Sequence, residues 1–201
     1  MSNLFNKPKP LIYDLEIAKA VPPRTGKRQT GVEYCKGWED HKNMGISCLC
    51  CFDYANNRNR VFGWESKQEF IGLTQNRDPL VSFNGLLFDN KVIEATWGLG
   101  IPLDTCYDIL REVRIAVGVD PDHFEFKSHG GYGLEALCKE NFGIAKTGDG
   151  ASAPAEWQRG RHCTVIDYCL NDVRLTRALW EKISRGEPIK AKGREITLRK
   201  P

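Results

Sequence analysis

Leu11-Ile-Tyr-Asp-Leu-Glu-Ile17 is the stretch on which the fold turns. Its apolar and aromatic residues are those of a strand buried in a sheet, yet Asp14 and Glu16 set two carboxylates into it. Successive side chains of a strand point to opposite faces, so residues two apart share a face. Neighbouring acids repel each other and are costly to desolvate. A hard divalent cation, Mg2+ or Mn2+, takes oxygen ligands and would relieve both penalties. A strand end turned to solvent would relieve them equally well.

Downstream of Ile17, Pro22, Pro23, Gly26 and Gly31 mark a long irregular connection. Residues 45–54 read as a second buried strand, with Asn56 and Asn57 supplying turn chemistry to a hairpin partner that includes RVFGW from Arg60. A short helix over 66–75 leads to the strand that opens at Pro79. Then come a helix from about Asn90 to Trp97, a strand around 103–107 and a helix from Ile109 to Val117. Gly-rich and polar residues occupy 120–133, a helix spans Leu134–Phe142, and a loop over 148–160 precedes a long helix at about 163–185. A hairpin followed by alternating strands and helices predicts one layered α/β domain over residues 1–201.

Composition excludes several classes. The 201 residues are 41% hydrophobic and include 20 aromatics, too much for intrinsic disorder. No apolar run approaches the ~18 residues that a transmembrane helix needs, and MSNLFNKPKP lacks the apolar core of a secretory signal. Eight cysteines without an export signal suggest free thiols in a cytoplasm rather than a disulfide framework. The net charge is +3, but its distribution is uneven. From Lys182 to Pro201 seven basic residues face two acidic ones, giving a basic C-terminal tail over about 186–201, and Lys19, Arg24, Lys27 and Arg28 form a second basic stretch. Such clusters suit phosphate backbones, although solvated surface has the same composition.

Further carboxylates sit on later elements. Asn84 and Asp89 bracket the run Asn84-Gly-Leu-Leu-Phe-Asp89 at the end of the strand PLVSF. Gly85 permits a sharp exit, and Asp89 on its own reads as a helix N-cap. Tyr168 and Asp172 are four apart on the last long helix, hence on one face. Taken singly, that pair is an ordinary surface contact.

Taken in order, Asp-x-Glu on a first strand, Asn-x-x-x-Phe-Asp after a later strand and Tyr-x-x-x-Asp on a late helix form a pattern. It resembles the DEDD superfamily of 3′–5′ exonucleases in its tyrosine subgroup, which includes the proofreading domains of DNA polymerases and has an RNase H-like fold. The resemblance spans residues 11 to about 180. The histidine subgroup would carry His five residues before the last acid, where this sequence has Asp167. The chain is also similar to small free-standing nucleases of phages and prophages.

The resemblance implies a fold and a chemistry: an RNase H-like mixed sheet flanked by helices, with Asp14, Glu16, Asp89 and Asp172 holding two divalent cations, Mg2+ or Mn2+, at a scissile phosphodiester. Tyr168 would orient the attacking water. An unperturbed phenol, with a pKa near ~10, is a poor base at neutral pH. Asn84 would hydrogen-bond the terminal nucleotide, while Leu15 and Phe83 would pack against bases, though both also suit a core. The implied partner is nucleic acid with a free 3′ end, single-stranded DNA before RNA. A binding module without turnover and an interaction protein whose acids are caps and surface residues are the competing classes.

Other features are less specific. Cys48, Cys50 and Cys51, with Cys35 and His41 upstream, lack the paired Cys-x-x-Cys spacing of a zinc site and read as buried thiols behaving as small hydrophobes. His129-Gly-Gly-Tyr-Gly133 lacks the Gly-Lys-Ser/Thr ending of a phosphate-binding loop. The long connection over 17–44 is expected to shape access to a site.

Overall fold

The computed structural model describes residues 9–122, 128–144 and 150–200. Residues 1–8, parts of the two polar loops (123–127 and 145–149) and residue 201 lie outside them. The first strand, β1 (Lys9–Ile17), is the centre of a five-stranded sheet. It pairs antiparallel with β2 (Ile46–Asp53), which pairs antiparallel with β3 (Arg58–Phe62). On its other side β1 runs parallel to β4 (Arg77–Ser82), and β4 runs parallel to β5 (Cys106–Asp108). The order is therefore β3-β2-β1-β4-β5, a mixed sheet as expected.

Both faces of β1 are covered, which explains why it reads as a continuous apolar run rather than an alternating one. Leu11, Tyr13, Leu15 and Ile17 face one core with Leu49, Cys51 and Phe62. That side is closed by α2 (Lys67–Thr74) and α3 (Asp89–Trp97), through Phe70, Leu73, Val92, Ile93 and Trp97. Ile12 faces the other core with Cys48, Cys50 and Phe52, covered chiefly by the long helix α8 (His162–Ser184). Helices α4 (Ile109–Ala116) and α6 (Leu134–Phe142) complete that layer. Helix α1 (His41–Met44) and a distorted turn, α5 (Ser128–Gly131), are single-turn pieces.

Three local readings change. The loop expected over 148–160 contains helix α7 (Ala153–Gln158), with Pro154 in the first turn, where its missing N–H costs no hydrogen bond. Residues 103–105 form a 3-10 turn before β5. The basic C-terminal stretch is folded: β6 (Ile189–Ala191) and β7 (Arg194–Ile196) form a hairpin, and Ile189, Ala191 and Leu198 are buried in the α8-side core. The side chain of Asn141 fixes β6, accepting the N–H of Lys190 at 2.9 Å and donating to its carbonyl at 2.8 Å. Part of the basic charge is paired within the molecule, Arg199 with Glu112 at 2.9 Å and Arg185 with Glu187. All eight cysteines are free thiols.

Candidate active site

The site is built where β1 and β4 end side by side. In a sheet with parallel strands, ligands settle in the crevice beyond the carboxyl ends. Asp14 and Glu16 share the face of Ile12, the face that α8 covers, because the period of two separates them from Leu15 and Ile17. Across the ladder Asp14 lies opposite Cys50 and Glu16 opposite Cys48. Glu16 is 7% exposed, so the solvent-facing alternative for the pair does not hold for it.

Chain exit from β4 needs special backbone. Asn84 adopts φ +67°, a left-handed conformation that asparagine tolerates better than most residues. A β-carbon on Gly85 would come within 2.3 Å of the Ser82 hydroxyl oxygen, so only glycine fits that turn. Asp108, at the N-cap of α4, holds the turn from behind: its carboxylate accepts the N–H of Asn84 at 2.9 Å, of Leu86 at 3.0 Å and of Arg111 at 3.2 Å. Asp108 escaped the sequence reading, although an acid directly before a predicted helix start is a capping signal.

The turn delivers Asp89 to β1. Phe88, not Asp89, occupies the N-cap position of α3, and no side chain caps that end. Asp89 is instead the first helical residue, and its carboxylate accepts the Leu15 N–H at 3.0 Å. This corrects the reading of Asp89 as a simple cap and ties it to Leu15, the residue between the two β1 acids. Asp89 is 4% exposed. Burial pushes its carboxyl up to about 7, reinforced by the charges of Asp108 and Asp172 and opposed by the backbone hydrogen bonds it accepts.

From the opposite layer α8 contributes Tyr168 and Asp172, the latter 5% exposed. A β-carbon on Gly150 would lie 3.2 Å from the Tyr168 hydroxyl oxygen, so the chain entering α7 runs close over the phenol. Asp14, Glu16, Asp89, Tyr168 and Asp172 all line a single cavity of about 1080 Å3. Leu15, Phe83 and Asn84 line it too, Leu15 and Phe83 being at the same time members of the two cores. That volume lies just above the range usual for small-ligand pockets, ~300–1,000 Å3.

The long connection between β1 and β2 forms one wall. Ala20 pairs with the segment around Tyr34 across it, its N–H donating to the Glu33 carbonyl and its carbonyl accepting the Cys35 N–H, both at 3.0 Å. Gln158 of α7 clamps both ends, donating to the carbonyls of Ala18 at 2.8 Å and Glu33 at 3.1 Å. Arg24, Lys27 and Trp38 from this wall face the cavity, as does Lys139 of α6. Trp38 packs edge-on against Phe88, 5.9 Å between ring centroids. Thus the connection contributes to the site, and two of the four cations of its basic stretch, Arg24 and Lys27, line it; Lys19 pairs with Glu33.

Comparison with known proteins shows the fold. No protein-family model matches the chain, and no curated protein matches it in sequence. Among solved structures it resembles the family B DNA polymerase of the hyperthermophilic archaeon Pyrobaculum calidifontis. The match has a TM-score of 0.60 at 17% identity, and covers 88% of this chain. It covers 24% of the polymerase, so this chain spans about a quarter of that protein. The fold is an α/β arrangement with a five-stranded mixed sheet flanked by helices, consistent with the RNase H-like class. Among the described residues no helix is long and apolar enough to cross a membrane.

Proposed function

We propose that the protein is a metal-dependent 3′–5′ exonuclease acting on single-stranded nucleic acid, DNA in preference to RNA, and releasing nucleoside 5′-monophosphates. The observation that carries this reading is the convergence on one cavity of four acids and a tyrosine from β1, α3 and α8. Likeness of the fold to part of a DNA polymerase supports it.

The donor set fits hard divalent cations. Its ligands are carboxylate oxygens, three of the four acids are nearly buried, and Asp89 is held towards its neutral form by burial and neighbouring negative charge. Asp14, Glu16, Asp89 and Asp172 would hold two Mg2+ or Mn2+ ions, which when bound supply hydroxide at neutral pH and stabilise the departing 3′-oxygen.

The chain's own groups do the rest. The Leu15 N–H keeps one Asp89 oxygen on β1, leaving the other for the cavity. Tyr168 aligns the attacking water through its hydroxyl, and acts as an orienting group rather than a base. Asn84, fixed by Asp108, offers its amide to the terminal nucleotide. Leu15 and Phe83 present apolar surface to the last bases, and stacking on an aromatic contributes ~1–3 kcal/mol per base. Arg24, Lys27 and Lys139 attract the phosphate backbone.

The test is a 5′-labelled single-stranded oligonucleotide incubated with Mg2+ or Mn2+. Progressive shortening from the 3′ end that EDTA stops supports the enzyme. Retention of full-length strand in a gel without shortening supports a binding module and overturns the proposal.

A further inference from the structure

A second group of metal-ligating side chains lies directly behind the acids. The β1–β2 register places Cys48 opposite Glu16 and Cys50 opposite Asp14, so both thiols share the face of the carboxylates. Cys169 of α8, one residue after Tyr168 and three before Asp172, descends on them. The three sulfurs lie within 4.8 Å of one another, and all three residues are at most 1% exposed. Cys51 points into the opposite core with Cys35, so the five-residue set considered from sequence does not assemble; Cys169, distant in the chain, takes its place.

We propose that Cys48, Cys50 and Cys169 form a binding site for one thiophilic divalent cation of the zinc class, with Asp14 as the fourth ligand. A tetrahedral centre with sulfur at ~2.3 Å requires sulfurs about 3.8 Å apart. The observed cluster needs only a small contraction. The Cys169 thiol donates to Asp14, 3.4 Å from its carbonyl oxygen and 3.6 Å from its carboxylate Oδ2, which brings that oxygen to the edge of the triad. As each sulfur–metal bond forms, the thiol proton leaves to solvent, and the Cys169 hydrogen bond to Asp14 is replaced by a shared cation.

Ligand softness separates the two neighbouring sites. Thiolates select zinc or cadmium, whereas the oxygen-only cage selects magnesium or manganese. Asp14 belongs to both, so filling the sulfur site withdraws it from the carboxylate cage. The sulfur site itself stands independently of the nuclease reading; the inhibition it causes rests on that reading.

Cadmium is the probe, with Cys163→Ala as the background because Cys163 is exposed. One equivalent of Cd2+ should give a thiolate-to-cadmium charge-transfer band, and a 113Cd resonance in the range of sulfur-rich sites. Cys48→Ser/Cys169→Ser should abolish both, and Cys51→Ser should keep both. Absence of the band, an oxygen-type 113Cd resonance, or an unchanged signal in the double variant would overturn the site, and the resonance decides even where the double variant fails to fold. Separately, one equivalent of Cd2+ should suppress Mg2+-supported cleavage at least tenfold, and the double variant should resist it. Sulfur-bound cadmium without inhibition of a cleaving enzyme would overturn the Asp14 link alone, and a protein that never cleaves would overturn the nuclease reading while leaving the cadmium signals intact.

Discussion

Replacing Asp108 with alanine should be among the most damaging single changes outside the acids themselves. The residue is 3% exposed and serves three backbone donors: Oδ1 accepts Asn84 and Arg111, and Oδ2 accepts Leu86. Losing an N-cap costs ~1 kcal/mol, and each buried N–H left without an acceptor costs ~1–3 kcal/mol. Against this, burial raises the Asp108 carboxyl, so removing it also removes an unfavourable desolvation. The balance is a loss of roughly 3–5 kcal/mol, a large share of the 5–15 kcal/mol typical of a domain. Asp108→Asn separates the two oxygens: the amide oxygen keeps two donors, while its NH2 faces the Leu86 N–H, for a loss of ~1–3 kcal/mol. Urea unfolding monitored by circular dichroism measures both. Because the turn carries Asn84 towards the cavity and leads into Asp89, cleavage should fall in the same order, alanine below asparagine below the native residue. An alanine variant within 1 kcal/mol of the native protein would refute the argument that Asp108 holds this turn.

Other expectations follow from single contacts. Gly150→Ala has no positive φ to strain and should leave stability unchanged or raise it by about 0.5 kcal/mol, while its methyl group displaces the Tyr168 hydroxyl and lowers kcat several-fold; unaltered kcat would show that the phenol position is not limiting. Asp53, fully buried, is bound bidentately by Arg77 at 2.7 and 3.1 Å. Burial raises its carboxyl, but Arg77 and Asn56 overcome this and hold it at about 2, below its ordinary 3.8. A depressed carboxyl stabilises above the unfolded value and loses that contribution as pH falls through the folded one, here between about 4 and 2. The difference amounts to roughly 2 kcal/mol, and Asp53→Asn should lack that acid limb in stability measured against pH. Asp89, raised to about 7, works in the opposite sense: protons compete with cations there. Mg2+ affinity measured by calorimetry should weaken by up to roughly tenfold per pH unit below that value, with proton release on binding.

Much of the architecture was legible because local periodicity dictated it. The seven residues from Leu11 to Ile17 declared both a central strand and a shared face for Asp14 and Glu16, and α6 begins and ends where its apolar spacing and Gly143 require. What escaped depended on distant parts of the chain meeting. The hairpin of β6 and β7 and the residues after it are anchored by Ile189, Ala191 and Leu198, three apolar residues among charges, whose burial is decided by α6 and α8 rather than by their own pattern. Helix α7 hid in a loop-like composition, although Pro154 in a first turn is a legitimate start signal. Residues that line the candidate cavity were singled out from sequence, but what holds them was not: the Asp108 clamp, the Leu15–Asp89 hydrogen bond and the Gln158 tether are long-range contacts with no period.

A manganese titration of the folded protein bears most directly on the central claim, that acids from β1, α3 and α8 act as one hard-cation cage. The native chain should take up two Mn2+ ions, which bind poorly to thiols and so report the carboxylates alone. Asp14→Ala should lose uptake and 3′-end cleavage together while unfolding at a similar urea concentration. A folded native protein that takes up no manganese, or an Asp14→Ala variant that cleaves at the native rate, would contradict the account.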